Sequence, residues 1–423
     1  LTNEPGAITN ITNQLLQFPT EPEVISMLRE KLSQDGSPAA LRILASVEFK
    51  HRNFQRVVDL YQQLEAQPSE QLNLGQDLLA EGEWDLTQQL MEKILADSEA
   101  SALYEQAVMT LARIYEERSK IHQLDLPLSG FYQGNRFFAL PYIRVEEPQL
   151  EPLRQAMVLY DSLITTWRNP RARLRLGDIK YRILDDFDGA IADFQAILLN
   201  RSAIQYHPDA LLRLIDVWIA KGDLEAAEQV RQEAGSRLKT KDQLNLVEIK
   251  EVELLFLFGD HDSLLAAIGE RMAVLGPNNP YFNDLMELSV LALRFQDWPE
   301  QYQAFVSSEH LLRQNRRSEA IAVLSATLAE DHTPVSPILQ YRLAHLYALH
   351  GDYREAESLC LAIPGETEFS ELGLLLAAEL ADYLLANTEL ASNRYLSFLD
   401  TFPMSIYGDA IRLRYRVLNP EAN

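Results

Sequence analysis

Apolar side chains recur along this chain at spacings of three and four, and strand-like alternation is nearly absent. In "RLAHLYALHGDYREAESLCLAI", Leu343, Leu346 and Tyr347 form one stripe, and a second stripe follows Gly351. Such spacing places successive apolar groups on one face of a helix. The pattern predicts a chain of short helices joined by short turns.

The turns themselves repeat. "DDFDGA" (185–190), "GDLEAA" (222–227) and "GDYREA" (351–356) share a polar turn residue, a bulky neighbour and a small residue three positions on. Weaker relatives start at Arg52, Gly82, Gly259 and Gln296. Asp186, Asp223, Asp260 and Asp297 then fall at a constant interval of 37 residues. A period in the mid-thirties is the mark of stacked helical hairpins. The longer gap before Asp186 holds a further first helix, "LARIYEER" (111–118). Between Asp297 and Asp352 lies one more turn, "QNRRSEA" (314–320), so a hairpin near Trp298 is expected to have lost or shortened its second helix.

One unit carries Leu343, Ala344, Tyr347, Gly351, Ala356 and Pro364 in place; another carries Leu74, Gly75, Leu78, Gly82, Met91 and Ile94. A third has Leu214, Trp218, Gly222 and Ala227. These residues resemble tetratricopeptide repeats over roughly residues 39–403. The resemblance implies an all-α, right-handed α-solenoid of about nine or ten hairpins. It implies capping helices in 1–38, repeats in 39–118 and 149–403, and a capping helix in 404–423. Gly75, Ala344 and Ala356 would let helices approach, while Tyr61, Phe194 and Tyr395 fill the next layer.

Residues 119–148 break the pattern as an aromatic- and proline-rich insertion. "FYQGNRFF" reads as a small β-hairpin with Gly134-Asn135 at its turn. Phe131, Tyr132, Phe137, Phe138 and Tyr142 are too aromatic for a disordered loop. They suit either a plug on the inner face of the array or a partner contact, since exposed aromatics make binding hot spots. A second candidate partner site is "WRNPRARLRLGDIKYR", in which Arg171, Arg175 and Arg182 share one helical face. They would either pair with acidic neighbours in the stack or anchor an acidic peptide.

At the C-terminus Tyr395, Phe398, Leu399, Phe402, Pro403, Ser405, Tyr407 and Ala410 resemble the repeats of bacterial outer-membrane assembly lipoproteins and cell-division coordinators. Ser405 is placed to cap the next helix after Pro403 stops the previous one. This short resemblance implies a periplasmic or envelope setting, with the cytoplasm as the alternative. The chain begins at Leu1 rather than Met, which leaves room for a removed signal peptide or lipid anchor.

Composition narrows the function. With 38 Lys and Arg against 62 Asp and Glu, the net charge of −24 argues against nucleic acid as a partner. No apolar run is long enough for a membrane span; the nearest, Leu372–Ala386, carries Glu379 and Asp382. The single cysteine, Cys360, excludes an internal disulfide and reads as a core residue.

Chemistry is hard to place. The sequence has no phosphate loop, nucleophile elbow or zinc-protease signature. The acidic stretch around Gly189 resembles a calcium loop, but that loop needs an oxygen ligand where Leu184 stands and a bidentate Glu where Gln195 stands. No catalytic, cofactor-binding or metal residue is assigned, and no cofactor is implied. The expectation is a non-catalytic scaffold that binds other proteins or peptides as a subunit of a larger complex. An all-helical glycan-cleaving enzyme is the alternative of another class.

Overall fold

The computed structural model describes residues 22–97, 102–120, 126–330, 332–365 and 367–420. Its described residues are helical and contain no strand. They divide into two compact units, Leu1–Ile121 with Val145–Leu176, and His122–Arg144 with Gly177–Asn423. Residues 1–21 of the expected N-terminal caps lie outside the described residues, and the helix Pro22–Asp35 follows them.

Most of the turns that set the period share one build; the turn at Asp297 does not, and the helix after it starts from Trp298. A residue in the left-handed region ends one helix, and the residue after it starts the next. Gly222, Gly259 and Gly351 have φ of 85°, 75° and 99°, while Asp185 and Asn315 adopt φ of 53° and 58° without being glycine. A left-handed residue lets the first helix close its last carbonyls before the chain reverses. At three of these turns the aspartate that follows then caps the second helix, whereas Asp352 makes no such bond and Arg316 follows Asn315. Asp186 accepts from Gly189 N at 2.9 Å, Asp223 from Ala226 N at 2.9 Å and Asp260 from Ser263 N at 3.1 Å. The acidic stretch around Gly189 is therefore a helix cap and its neighbours. Asp188 pairs with Lys221 at 2.6 Å, and Asp185 accepts from Asn315 at 2.9 Å.

In the first unit the hairpins Pro38–Lys50 with Phe54–Gln63 and Pro68–Ala80 with Trp84–Asp97 enclose one core. Leu44, Val58, Leu60, Leu78, Met91 and Ile94 are buried in it. Gly75 leaves room for the Met91 side chain, since a Cβ there would lie 2.3 Å from Met91 Cε. Ala102–Ser119 packs along Glu147–Trp167.

In the second unit, first helices form a row: His207–Lys221, Lys241–Phe258, Pro299–Arg313, Ser336–His350 and Glu368–Glu379. Their partners are Leu224–Arg237, His261–Leu275, Arg317–Glu330, Tyr353–Leu361 and Thr388–Thr401. Ala344, Ala356 and Phe194 are fully buried in this unit, and Gly408–Leu418 is its last helix.

Two expectations are corrected, and the hairpin near Trp298 that lacks a second helix is identified. The helix after Trp298, Pro299–Arg313, is 15 residues long and serves as the next first helix. The odd helix is Phe282–Arg294, which lies between two hairpins without a second helix of its own. Ser405 does not cap Gly408–Leu418; its hydroxyl accepts from Tyr407 N, inside the turn. The insertion contains no β-hairpin. "FYQG" (131–134) forms one helical turn, and Asn135 takes over the next backbone groups.

Candidate partner-binding site

Residues 126–144 belong to the second unit and lie across its row of first helices. The conformation follows from local chemistry. Asn135 Oδ1 accepts from Phe137 N at 2.9 Å, and its carbonyl accepts from Phe138 N and Ala139 N at 3.0 and 2.9 Å. An asparagine that satisfies its own following backbone replaces the ladder that a hairpin would supply. Downstream, Ile143 N bonds the Arg182 carbonyl at 2.9 Å, and Arg182 Nε returns a bond to the Pro141 carbonyl at 2.7 Å.

The row holds this segment by its main chain. The Glu379 carboxylate accepts from Leu128 N at 2.9 Å and Ser129 N at 2.7 Å. Arg313 donates to the carbonyls of Ala139, Phe137 and Arg136 at 2.8, 3.0 and 3.2 Å. Tyr142 donates its hydroxyl to the Arg313 carbonyl, and Asn135 Nδ2 donates to the Asp284 carbonyl and to Glu287. A buried backbone group left unpaired would cost about 1–3 kcal/mol, so these side chains do the work of a neighbouring strand.

The aromatic side chains point inward. Tyr132 and Phe138 meet edge to face at 5.2 Å; Tyr132 also packs on Tyr341 and His345, and Phe138 on Phe256 and Phe305. Phe137 is buried, and Tyr142 stands against Tyr181. Tyr132, Phe137, Phe138 and Tyr142 are thus packing residues of a plug and present no free aromatic surface to a partner. The Phe131 side chain lies outside the described ones.

Buried charge lies beneath the plug. Lys250 pairs with Asp216 and with Glu253, and Arg313 reaches Glu253 at 3.1 Å. Burial pushes the Glu253 carboxyl up, but the Lys250 and Arg313 charges more than offset it and hold it down at about 2. At Glu379 burial prevails and holds the carboxyl above its ordinary range, against the hydrogen bonds from Ser129 and Leu128. Cys360 is buried, and burial pushes its thiol up, which makes it inert rather than nucleophilic.

The arginines are not gathered into one anchor. Arg171, Arg175 and Arg182 do share the helix Pro170–Arg182. Arg175, in the first unit, is bonded through Nε and Nη2 to Glu116, which also accepts from Tyr160 at 2.7 Å. Burial raises the Glu116 carboxyl, and Arg175 and Lys120 bring it below its ordinary value. Arg182, in the second unit, is committed to Pro141, and Arg171 is exposed.

The residues that grip the plug, Arg313, Glu379 and Asn135, escaped the sequence reading. The available signal was charge at positions the helical pattern assigns to the inside, as with Glu253 in "EVELLFLF" and Glu379 in "LGLLLAAELADYLLA".

Residues 174–235 and 308–371 match the family model of the tetratricopeptide repeat. The chain is a helical-repeat protein, and it carries tetratricopeptide repeats over those stretches. No curated protein matches the sequence. Among solved structures, a tetratricopeptide repeat protein from Parabacteroides merdae is 12% identical, over 73% of this chain and 98% of that one, with a TM-score of 0.38. The TPR domain of P58(IPK) is 13% identical over 99% of each chain, with a TM-score of 0.24. The human IFIT1 dimer with m7Gppp-AAAA is 14% identical, over 98% of this chain and 92% of that one, with a TM-score of 0.25. Superpositions this loose transfer no residue roles.

Proposed function

We propose that this protein is a non-catalytic interaction scaffold, a subunit of a larger assembly that binds other proteins through its helical array. The observation that carries the reading is the way the second unit holds residues 126–144. Arg313 and Glu379 take up carbonyls and N–H groups of an irregular segment, which is how a repeat array recognises polypeptide. With that row filled from within the chain, partners are left the edges and outer surfaces of the array.

The setting proposed is a bacterial envelope. It rests on the resemblance of the C-terminal stretch, Tyr395 to Ala410, to repeats of bacterial envelope proteins. No described helix is long and apolar enough to cross a membrane. Fractionation with affinity purification and mass spectrometry tests both parts. Stoichiometric capture of envelope proteins is the expected result. Recovery in the cytoplasm with no envelope protein captured would overturn the setting, and recovery without any stoichiometric partner would overturn the scaffold.

A further inference from the structure

At the end of the filled row, outside the plug, an apolar hollow of about 500 Å³ opens in the second unit. It lies between the odd helix Phe282–Arg294, the start of Glu368–Glu379 and the corner before Gly408–Leu418. Its walls include Met286, Val290, Phe369, Leu372, Met404 and Ile406. Met404 and Ile406 are 93% and 88% exposed at that corner. Met286 and Val290 are 44% and 50% exposed on the facing helix. Apolar groups gathered around a hollow in this way mark an interaction site, and methionines let such a site adapt to its ligand.

The rim is acidic. Arg294 is neutralised by Glu368 at 2.9 Å, which leaves Glu287 and Glu371 as the charges facing the hollow. Their field is felt by Tyr407, whose phenol is raised by burial and then by Glu371 and Glu287. A second copy of the chain is a poor occupant, because each copy carries a net charge of −24.

We propose that this hollow docks a partner protein through an amphipathic segment, with two apolar side chains between Met286 and Ile406 and a lysine or arginine against Glu371. The proposal rests on the scaffold reading and names its surface.

A random-peptide phage library, selected on the whole protein and counter-selected on M404E/I406E, tests it. Both substituted side chains are exposed, so thermal unfolding of the variant should match the parent. The expected result is enrichment, on the parent alone, of peptides with an apolar pair beside a basic residue. One such synthetic peptide should bind about tenfold more weakly to M404E/I406E, and more weakly to E371Q and at high salt. Equal enrichment on parent and variant would overturn the hollow and leave the scaffold reading standing. No enrichment on either would count against both. A concentration-dependent dimer abolished by M404E/I406E would assign the hollow to a second copy instead.

Discussion

Arg342 donates Nε and Nη2 to the two carboxylate oxygens of Glu309, at 2.6 and 2.7 Å, with both side chains almost fully buried. The pair joins two neighbouring first helices, and the guanidinium lies 4.1 Å from the centre of the Tyr132 ring. One ion pair therefore ties the row to the segment that crosses it.

Breaking that pair from one side leaves a buried charge without its partner. Arg342→Met should lower the unfolding free energy by about 3–5 kcal/mol, and Glu309→Leu should act similarly. The double variant should recover much of the loss, because two apolar side chains need no compensation. Urea unfolding of the three variants checks this. Strictly additive losses would show that the pair is not coupled.

Helix contacts differ in what they tolerate. Ala356 is fully buried, and Ala356→Phe should cost about 1–3 kcal/mol through overpacking. At Gly373 an added Cβ would lie 2.9 Å from the Cys360 carbonyl oxygen, a backbone atom that cannot turn aside. At Gly75 the obstacle is the far end of the Met91 side chain, which can swing away. Gly373→Ala should therefore lower the melting temperature, while Gly75→Ala should leave it within a few degrees. Equal shifts would refute the distinction.

How much of this was legible follows from particular residues. Turn positions could be read because Gly222, Gly259 and Gly351 meet a local demand for positive φ, and an aspartate three residues before an orphan N–H meets another. Both demands are satisfied within a few residues of sequence. The plug obeys no such local rule. Ser129 finds Glu379 across 250 residues, and Ala139 finds Arg313 across 174. Periodicity says nothing of such pairs, and "FYQGNRFF" in isolation resembles the hairpin it does not form. The irregular repeat near Trp298 was legible from the close spacing of its turns, but only packing shows that Phe282–Arg294 is the helix left without a second helix.

His345 gives the fold a predictable acid limb. Its ring is fully buried, its Nε2 lies 3.2 Å from the Ser129 carbonyl, and burial together with the Arg342 charge holds its pKa down to about 3. In the unfolded chain it titrates near 6.5. Between those values the unfolded state binds the extra proton, so stability is complete above about pH 6.5 and is lost as pH falls towards 3. His345→Gln should flatten the stability curve in that window, whatever its cost at neutral pH. Denaturant titrations from pH 7 to 4 would show it, and a slope unchanged by the substitution would exclude His345 as its source.

The plug itself offers the sharpest test of how the second unit is built. Phe138 is 1% exposed and contacts Phe256 and Phe305 on two first helices. Phe138→Ala should cost about 3–5 kcal/mol, since the cavity would open where helices already packed around the ring cannot close. Removing residues 127–142 should do more than subtract contacts. It would strip Glu379 and Arg313 of their backbone partners and expose Phe256, Phe305 and Tyr341 together. The deletion variant should therefore bind a hydrophobic dye and lose cooperative unfolding. A variant that kept cooperative unfolding and lost only a partner would show that the segment contributes to binding rather than to the core.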